Sequence, residues 1–481
     1  MQEKRFWVGY IEPGRIFGNL YFVGTRPAST HLIDTGDGLI LIDPGFPEAV
    51  EQILENIRAI GFDPLHIRKI LLSHGHYDHA GATKAFVELT GATVYLGAKD
   101  LKMVTGEENS SLAEEEFGVA FTDFFTPDVL LEDGDHVTLG NTDVLCLSTP
   151  GHTAGTISFF FNVTDGETVY RAGMHGGAGT NTLTKAFLTE HGLPFSNRED
   201  FFNSLEKVKR ENVEIFLGNH VGNNDTECKL QRVRDGEKLA FLSPGEWLTF
   251  LERRKERLTN LILEEENMEN IIENIINEKI IMIIRGISAE KLSDVADAMY
   301  RGGIRLMECT YDASEKVSDE ETAKSIEMLA KRYDGKMLIG AGTVLKKSQV
   351  WLTKAAGGKF IISPDSNEEI IAETKKAGLI SIPGALTPSE ITSAHRAGAD
   401  FVKLFPISSM GASYVKALCA PLSHIRFLAV GGINENNISD YLHCGVCGFG
   451  MGLNAQDKEH IANNNFVAIE EKCRKLTNTV K

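Results

Sequence analysis

The chain has 481 residues, 42% of them hydrophobic and 24% charged, and a formal net charge of −18. A single hydrophobic core rarely grows beyond about 250–300 residues, so this length predicts two domains. The negative charge disfavours nucleic acid or an anionic membrane surface as a partner, because both attract clustered lysine and arginine.

The N-terminal segment MQEKRFWVGYIEPG lacks the apolar core of a signal peptide, and no stretch reaches the roughly 18 apolar residues of a membrane span. We therefore expect a cytoplasmic protein. The seven cysteines are scattered, which predicts reduced thiols rather than a disulfide framework. Cys444 and Cys447 have a C-x-x-C spacing without a second pair, so we interpret them as core residues rather than metal ligands.

Short β-rich runs fill the first 240 residues, from LYFVGT at 20–25 to TISFFFN at 156–162, with glycine, aspartate and histidine in the loops between them. This pattern predicts packed sheets with helices outside. A long charged segment with helical periodicity follows at 245–279. We place the domain boundary inside it, which gives an N-terminal domain of residues 1–262 and a C-terminal domain of residues 263–481.

Beyond that helix, eight apolar β-type runs alternate with helix-like segments, from KIIMIIR at 279–285 to VCGFGMG at 446–452. Strands that alternate regularly with helices predict an α/β domain of the closed (β/α)8 barrel type. Active sites of such barrels lie where the strands end at their carboxyl side. Polar residues of this sequence do lie at those strand ends.

The stretch SHGHYDH, residues 73–79, places three imidazoles and one carboxylate directly after a predicted strand. Further histidines follow two other predicted strands. Imidazole and carboxylate ligands suit zinc, iron or manganese, and no matching set of cysteines indicates a structural thiolate site. The sequence therefore predicts a metal site whose candidate ligands are His74, His76, Asp78, His79, His152 and His220.

Lys403 lies among apolar residues in ADFVKLFP, at a predicted strand of the barrel. Burial there would depress the pKa of its ammonium group and leave free amine, which attacks carbonyl carbons. A salt-bridged structural lysine is the alternative interpretation. Other predicted strands end at Arg285, Glu308, Thr343 and Pro364. If the barrel brings these ends together, the guanidinium of Arg285 could grip a carboxylate and the carboxyl group of Glu308 could move protons.

The N-terminal half resembles the metallo-β-lactamase fold, an αββα sandwich of metal-dependent hydrolases, in SHGHYDH, in LIDPG at 41–45 and in TPGHTAGTIS at 149–158. The resemblance implies that His74, His76 and His152 hold one metal ion and that Asp78, His79 and His220 hold a second. Water activated by the metal would be the nucleophile. Zinc is the expected ion, in one or two copies, with iron or manganese as alternatives.

The segment VYRAGMHGGAG departs from that family, because Met174 stands where many members carry a bridging aspartate. Methionine is a poor ligand for hard divalent ions. This favours acyl substrates such as lactones or amides over phosphodiesters, and it leaves a one-metal site open. His175 beside it is either a surrogate ligand or a loop residue.

The C-terminal half resembles the 2-keto-3-deoxy-6-phosphogluconate and 4-hydroxy-2-oxoglutarate aldolases, in motifs between residues 280 and 455 that include GGIRLMECTY, IGAGTVL, ADFVKLFP and LAVGGINENNI. The resemblance implies that Lys403 forms a Schiff base with the 2-oxo group and that Glu308 is the general acid and base. It further implies that Arg285 and Thr343 bind the pyruvate carboxylate, that this half needs no metal, and that the chain forms homotrimers.

The phosphate-binding positions of that family are only partly kept. Gly431 and Gly432 are present, but Val430 and Leu453 stand beside the glycine turns where hydroxyl side chains are usual, and Asp312 would repel a phosphate. Backbone N–H groups of the glycine turns could still cradle one. The substrate is therefore either a 2-keto-3-deoxy sugar acid, with or without a phosphate, or 4-hydroxy-2-oxoglutarate.

Together these features predict a bifunctional enzyme for small-molecule substrates: an aldolase that releases pyruvate and an aldehyde, joined to a metal-dependent hydrolase such as a lactonase. Two alternatives stay open. One half could be a non-catalytic sensor or scaffold, or the N-terminal half could be a nuclease or another phosphodiesterase.

Overall fold

The computed structural model describes residues 9–108 and 110–480, and this part of the chain forms two compact units that divide between Ile262 and Leu263. The first eight residues, on which most of the signal-peptide expectation depends, lie outside the described residues. Among the described helices, none combines the length and the apolar character needed to cross a membrane. All seven cysteines are free thiols.

The N-terminal unit is built on two sheets. The first contains β1 (Gly14–Phe17), β2 (Leu20–Phe22), β3 (His31–Asp34), β4 (Leu39–Ile42), β5 (Ile67–Leu71), β6 (Thr93–Gly97) and β7 (Val129–Leu131), hydrogen-bonded in that order. Strands β1 to β4 pair antiparallel and β4 to β7 pair parallel. The second contains β8 (Asp135–Leu139), β9 (Thr142–Ser148), β10 (Ile157–Thr164), β11 (Val169–Met174) and β12 (Ile215–Leu217), in the order β12-β11-β10-β9-β8.

The two sheets pack face to face, as the alternation of side chains along β10 shows. Phe159 and Phe161 lie in the core shared with Ile40 and Leu71 of the first sheet. Phe160, between them, points to the opposite face and packs against the helices outside. A strand with period two that is apolar on both faces fits the middle of a sandwich. The unit is therefore the predicted αββα sandwich.

In the described residues of this unit, nine α-helices begin: α1 (Val50–Ala59), α2 (Tyr77–Ala80), α3 (Thr83–Thr90), α4 (Leu101–Thr105), α5 (Ala113–Phe117), α6 (Lys185–Glu190), α7 (Ser196–Val208), α8 (Thr226–Arg234) and α9 (Glu246–Glu278). Short 3₁₀ turns cover Pro47–Ala49, Pro64–His66, Ala98–Asp100, Asn181–Leu183 and Val221–Asn223. The long charged helix expected at 245–279 is α9. Its first turns bury Trp247 and Phe250 against the second sheet. The part of α9 after Ile262 belongs to the C-terminal unit, where Ile275 packs with interior side chains of that unit.

The C-terminal unit is a parallel sheet of nine strands: β13 (Ile280–Ile284), β14 (Leu306–Thr310), β15 (Leu338–Gly342), β16 (Phe360–Ile362), β17 (Ile380–Ile382), β18 (Gly384–Ala385), β19 (Val402–Leu404), β20 (Phe427–Val430) and β21 (Gly448–Gly452). They are ordered β17-β16-β15-β14-β13-β21-β20-β19-β18. All eight β-runs predicted from the sequence are present, and the fifth is divided in two.

The division of the fifth run explains how the barrel closes. Strands β17 and β18 stand at opposite ends of the sheet order, yet only Pro383 separates them along the chain. Proline has no N–H group to donate to a neighbouring strand, so the ladder is interrupted there. The Pro383 carbonyl still accepts the Lys403 N–H at 2.8 Å. The two pieces are thus one strand, and the unit is the predicted (β/α)8 barrel.

Helices surround this barrel: α10 (Ala289–Arg301), α11 (Asp319–Arg332), α12 (Lys347–Ala355), α13 (Glu368–Lys376), α14 (Pro388–Arg396), α15 (Gly411–Cys419), α16 (Ile438–Tyr441), α17 (Ala455–Ala462) and α18 (Phe466–Val480). Buried residues of strands and helices form one continuous core between the two layers. Cys444 belongs to this core and donates from Sγ to backbone carbonyls, in agreement with a packing role.

Candidate functional sites

The predicted metal-ligand loop leaves the end of β5, and Asp43, one residue beyond the neighbouring strand β4, fixes it in place. The Asp43 carboxylate accepts hydrogen bonds from both Ser73 N–H and Ser73 Oγ at 2.7 Å, and its Oδ2 lies 2.9 Å from Nδ1 of His79. A carboxylate behind an imidazole fixes the orientation of the ring and makes the opposite nitrogen a better ligand. Asp43 therefore aims Nε2 of His79 at the site.

A second buried carboxylate, that of Asp100, joins two loops that carry candidate ligands. It accepts from Gly75 N at 3.0 Å, between His74 and His76, and from Thr153 Oγ1 and Gly155 N at 2.7 Å, directly after His152. These bonds hold together loops that are about 80 residues apart in the sequence. Sequence reasoning missed Asp100, because nothing local distinguishes it from a surface aspartate at the end of a strand.

All six predicted ligands converge. Ligand atoms of His74, His76 and His152 lie within 4.8 Å of one another, and so do those of His74, Asp78 and His79. His220 completes the second set. Its Nε2 lies 3.3 Å from Nε2 of His79 and 3.5 Å from Oδ2 of Asp78. Nε2 of His79 and Oδ2 of Asp78 are 3.2 Å apart.

These spacings fit a divalent metal ion. A tetrahedral ion with bonds of about 2.0–2.1 Å holds its ligand atoms about 3.3–3.4 Å apart, which is the spacing between Asp78, His79 and His220. Nε2 of His74 is buried without a hydrogen-bond partner among the described residues. A buried polar atom without a partner is costly, and a bound ion would satisfy it.

The protonation states of His74, His76 and His152 suit metal binding, whereas His79 would have to lose a proton to become a ligand. Burial lowers the pKa of His74 and His76 well below the usual range, and it lowers the pKa of His152 to about 4. These imidazoles are therefore neutral at pH 7 and offer a lone pair. His79 differs: burial opposes protonation, but the carboxylates of Asp78 and Asp43 raise its pKa to about 10.

The two residues at the position of the missing bridging aspartate lie outside the two groups of converging ligand atoms. Met174 is fully buried in the core between the two sheets. The His175 ring lies 6.3 Å from the ring of Phe201 and 6.5 Å from that of Phe250, and it belongs to none of the converging ligand groups found in the described residues. His175 packs against these aromatic rings, and both of its ring nitrogens are buried without a hydrogen-bond partner among the described residues, so the geometry leaves both interpretations of His175 in place.

The metal cluster lines a pocket of about 260 Å³. Beyond the six predicted ligands, its polar lining includes Glu116, Asn181, Asn219, Asn223, Arg254 and Arg257. The arginines come from the first half of α9, whose sequence ERRKER we had interpreted only as part of a charged helix. Arg254 donates from Nη2 to Oδ1 of Asn223 at 2.7 Å, and its guanidinium carbon lies 4.9 Å from the ring centre of Phe250.

The second predicted site lies inside the barrel. Lys403 on β19 and Glu308 on β14 are 7% and 2% exposed, and both line one small cavity enclosed by Ile283, Ile382 and other apolar side chains. Burial lowers the pKa of Lys403, and burial raises the pKa of Glu308 to about 7 although Lys403 and Arg285 oppose that rise. Oε2 of Glu308 has no hydrogen-bond partner among the described residues.

Arg285 and Thr343 form the predicted pair at the carboxyl ends of β13 and β15. Nη2 of Arg285 donates to Oγ1 of Thr343 at 2.8 Å. Thr343 has a φ of +56°, a left-handed conformation that is uncommon for a threonine. Such strain is often found in binding sites, where it positions a side chain.

The other predicted substrate-binding residues lie at the same end of the barrel. Pro364 follows β16, and its carbonyl oxygen approaches Gly384 so closely that a Cβ there would lie 2.3 Å away. Gly431 and Gly432 follow β20 with φ values of +94° and +83°. Their carbonyls accept from Ser408 N at 3.0 Å and Asn437 Nδ2 at 2.9 Å, which fixes the turn.

Asp312 is engaged within its own loop. Its carboxylate accepts from the N–H groups of Ser314 and Lys316, both at 3.0 Å, and from the Ser314 hydroxyl at 2.7 Å. These bonds lower its pKa, so the carboxylate is ionised at pH 7. It organises the loop after β14.

Comparison with known proteins supports the fold of each half. Residues 271–472 match the family model of KDPG and KHG aldolases, and residues 23–166 match that of the metallo-beta-lactamase superfamily. Over 174 residues, 36% of this chain and 79% of the relative, the chain is 34% identical to a probable 2-dehydro-3-deoxy-6-phosphogalactonate aldolase of Rhizobium meliloti. Over 218 residues, 44% of this chain and 98% of the relative, it is 32% identical to a 2-dehydro-3-deoxy-phosphogluconate aldolase of Haemophilus influenzae.

Solved structures resemble the N-terminal half. A subclass B3 metallo-beta-lactamase of Bradyrhizobium japonicum has 27% identity and a TM-score of 0.50, over 55% of this chain and 98% of that chain. A native metallo-beta-lactamase of Legionella gormanii has 28% identity and the same score of 0.50, over 54% of this chain and 98% of that chain.

Fold and sites together define an α/β chain in which a metal-binding hydrolase fold precedes a lyase barrel. The chain belongs to the KDPG and KHG aldolase family through its C-terminal half. Its N-terminal half carries a region, residues 23–166, that matches the metallo-beta-lactamase superfamily model and resembles solved metallo-beta-lactamases.

Proposed function

We propose that the C-terminal half is a class I aldolase that cleaves a 4-hydroxy-2-oxo acid to pyruvate and an aldehyde through an imine on Lys403. The observation that carries this proposal is the enclosure of Lys403 and Glu308 in one apolar cavity, together with the Arg285–Thr343 pair at the same end of the barrel. Burial that lowers the pKa of Lys403 supplies free amine.

The chemistry proceeds by covalent addition and proton transfer. Nζ of Lys403 attacks the 2-oxo carbon, and loss of water from the carbinolamine gives a protonated imine. Removal of the proton from the 4-hydroxyl group then breaks the C3–C4 bond. The aldehyde leaves, and the electron pair passes into an enamine. Protonation at C3 and hydrolysis of the imine release pyruvate and restore the amine.

Glu308 is suited to move these protons because its raised pKa, about 7, lets it both accept and donate near neutral pH. Arg285 offers a planar guanidinium that can hold the substrate carboxylate in a bidentate manner, with the Thr343 hydroxyl beside it. Candidate substrates are 2-keto-3-deoxy sugar acids, with or without a phosphate at the glycine turn of Gly431 and Gly432, and 4-hydroxy-2-oxoglutarate. A screen of these acids for release of pyruvate would identify the substrate and therefore the aldehyde product.

Borohydride reduction in the presence of pyruvate tests the aldolase proposal. The imine on Lys403 would be reduced to a stable amine, and the protein mass would increase by pyruvate minus one oxygen atom. Lys403→Arg should abolish the adduct. Lys359→Arg, at the opposite end of the barrel before β16, is the matched control and should retain it. No adduct on folded wild-type protein would refute the proposal.

We further propose that the N-terminal half is a zinc-dependent hydrolase of acyl compounds, with lactones as the first candidates, and that the protein is bifunctional. His74, His76 and His152 would hold one ion, and Asp78, His79 and His220 a second where two are bound. A bound divalent ion lowers the pKa of water and polarises the scissile carbonyl group. Asp43 and Asp100 position the loops of the ligands, and Asn181, Asn219 and Asn223 offer hydrogen bonds to a substrate.

Metal analysis and a lactone panel test this second proposal. Purified protein should contain one or two zinc ions per chain and open at least one sugar lactone. His76→Ala should lose both properties and leave pyruvate trapping unchanged. Absence of turnover across the panel by zinc-loaded protein would refute the lactonase assignment.

The organisation of the chain also enters the proposal. The hydrolase would occupy residues 1–262 and the aldolase residues 263–481. The protein would be cytoplasmic, and the aldolase resemblance implies a homotrimer. Light scattering of purified protein measures the oligomeric state.

A further inference from the structure

The first half of α9 brings a group of arginines to the metal pocket. Arg254 and Arg257, three residues apart on one face of the helix, both line the pocket with the six candidate metal ligands. Trp247, Phe250 and Leu258 anchor this part of the helix in the core of the N-terminal unit. The arginines therefore stand on a fixed element rather than on a mobile loop.

Among the described residues, these arginines have no acidic partner. The ion pairs found in the described residues include neither Arg254 nor Arg257, although the chain carries 67 acidic residues against 49 basic ones. Nη2 of Arg254 is bound by the neutral amide of Asn223, and its Nε is buried without a hydrogen-bond partner. A partly buried guanidinium that lacks a carboxylate is costly unless an anion joins it.

The acidic groups of the pocket are already engaged. Asp78 lies within 3.5 Å of imidazole nitrogens of both His79 and His220. The Glu116 carboxylate accepts a hydrogen bond from Asn181 Nδ2. Neither neutralises the arginines, so the α9 side of the pocket presents unpaired positive charge beside the metal ligands.

We propose that Arg254 and Arg257 bind an anionic group of the substrate, a carboxylate or a phosphate, while the metal centre acts on an acyl bond elsewhere in the same molecule. Asn223 and the Phe250 ring hold the Arg254 guanidinium in place, and a preorganised guanidinium pairs with carboxylate or phosphate oxygens through two parallel hydrogen bonds. The pocket volume of about 260 Å³ suits a small metabolite.

This inference rests on the proposed hydrolase function and narrows its substrate class. A lactone formed from a sugar monoacid is uncharged, because ring closure consumes its carboxylate. The anion must then be a second acid group. The substrate class is therefore a lactone, or a comparable acyl compound, that carries a further carboxylate or a phosphate.

Equilibrium binding to zinc-loaded, full-length protein tests the inference without turnover. The probes are glutarate and inorganic phosphate, measured by calorimetry. Arg254→Gln should weaken binding of at least one probe by about tenfold to a hundredfold, and Arg257→Gln should weaken it less. Arg253→Gln removes the same charge from an exposed neighbour that does not line the pocket and should bind as wild type does.

Catalysis gives a second readout that separates the two anions. Arg254→Gln should lower kcat/KM about tenfold or more for 6-phospho-D-glucono-1,5-lactone or for D-glucaro-1,4-lactone, and should leave the neutral D-glucono-1,5-lactone unchanged. If kcat/KM falls for only one of the two charged lactones, the anionic group of that lactone, phosphate or carboxylate, is the one that Arg254 binds. Arg254→Lys keeps the charge but not the planar fork, so it should fold and show an intermediate loss.

Two results would overturn the inference: equal probe binding by the variants at 253, 254 and 257, or equal losses for neutral and charged lactones in Arg254→Gln. Unchanged binding in Arg254→Lys together with a misfolded Arg254→Gln would also overturn it. If no lactone is hydrolysed, the lactonase proposal fails, but a selective loss of glutarate or phosphate binding in Arg254→Gln would still support the anion site.

Discussion

Replacement of Gly342 by alanine would place a methyl group against the carboxylate of Glu308. A Cβ at position 342 would lie 2.3 Å from Oε1 of Glu308, whereas ordinary contacts begin at 3.4 Å. The carboxylate would have to retreat by about 1 Å, the difference between these two distances. Glu308 is 2% exposed and enclosed by the barrel interior, so it can move only by disturbing its neighbours.

The expected loss follows from that displacement. Misplacement of a reacting group by about 1 Å can cost about a hundredfold in rate, so kcat for pyruvate release should fall by about two orders of magnitude. Overpacking should also cost about 1–3 kcal/mol in the free energy of unfolding. Borohydride trapping of pyruvate on Lys403 should persist more than turnover does, because Nζ itself is not displaced.

A matched variant separates displacement of Glu308 from general overpacking. Gly340 lies two residues earlier on β15 and faces the same side, and its Cβ would lie 2.3 Å from the ring of Phe360. An aromatic ring moves aside less easily than the end of a flexible side chain, so Gly340→Ala should destabilise the barrel at least as much as Gly342→Ala, as measured by urea unfolding, but should retain far more activity. Equal kcat values for the two variants would refute the role assigned to Glu308.

Three further predictions concern charge and metal binding. Burial raises the pKa of Glu308 from 4.5 to about 7, so between these pH values the native barrel holds a proton that the unfolded chain has lost, and its stability falls as pH rises. Each unit of pKa corresponds to about 1.4 kcal/mol. The free energy of unfolding of Glu308→Gln, minus that of wild type, should therefore increase by about 3 kcal/mol between pH 4.5 and pH 7. A difference that does not change with pH in urea titrations would contradict this. Asp100→Asn should weaken zinc binding about tenfold to a hundredfold in a chelator competition, while the exposed Asp37→Asn should not, and equal affinities would exclude a positioning role. His175→Ala should keep the zinc content that His74→Ala loses, and loss of zinc in His175→Ala would make it a ligand.

Local sequence patterns predicted most of the strands of the barrel. Each predicted β-run became a strand because apolar segments of this length, bounded by glycine and charge, have few other ways to be buried. The break at Pro383 was not predicted, since its effect depends on which strands flank it in the closed sheet. In the sandwich, β3 (His31–Asp34) has a polar residue at each end of its four positions, so its apolar pattern is too short to predict a strand.

The candidate sites were predictable to the extent that their residues stand together in sequence. SHGHYDH contains four potential ligands in seven residues, and His152 and His220 follow strands whose ends the sheets bring together. The contributions of Asp100 and Arg254 could not be predicted. Each becomes significant only through partners about 30 to 55 residues away, Asn223 for the arginine and Thr153 with Gly155 for the aspartate.

Native mass spectrometry of the full-length protein, after borohydride reduction with pyruvate, tests most directly whether one chain carries two separate reactive centres. The account predicts a species with one reduced pyruvate on each chain, located at Lys403 after proteolysis, together with one or two zinc ions. It also predicts that His76→Ala removes the zinc but not the adduct, and that Lys403→Arg removes the adduct but not the zinc. Folded wild-type protein that carries neither, or a single substitution that abolishes both, would contradict it.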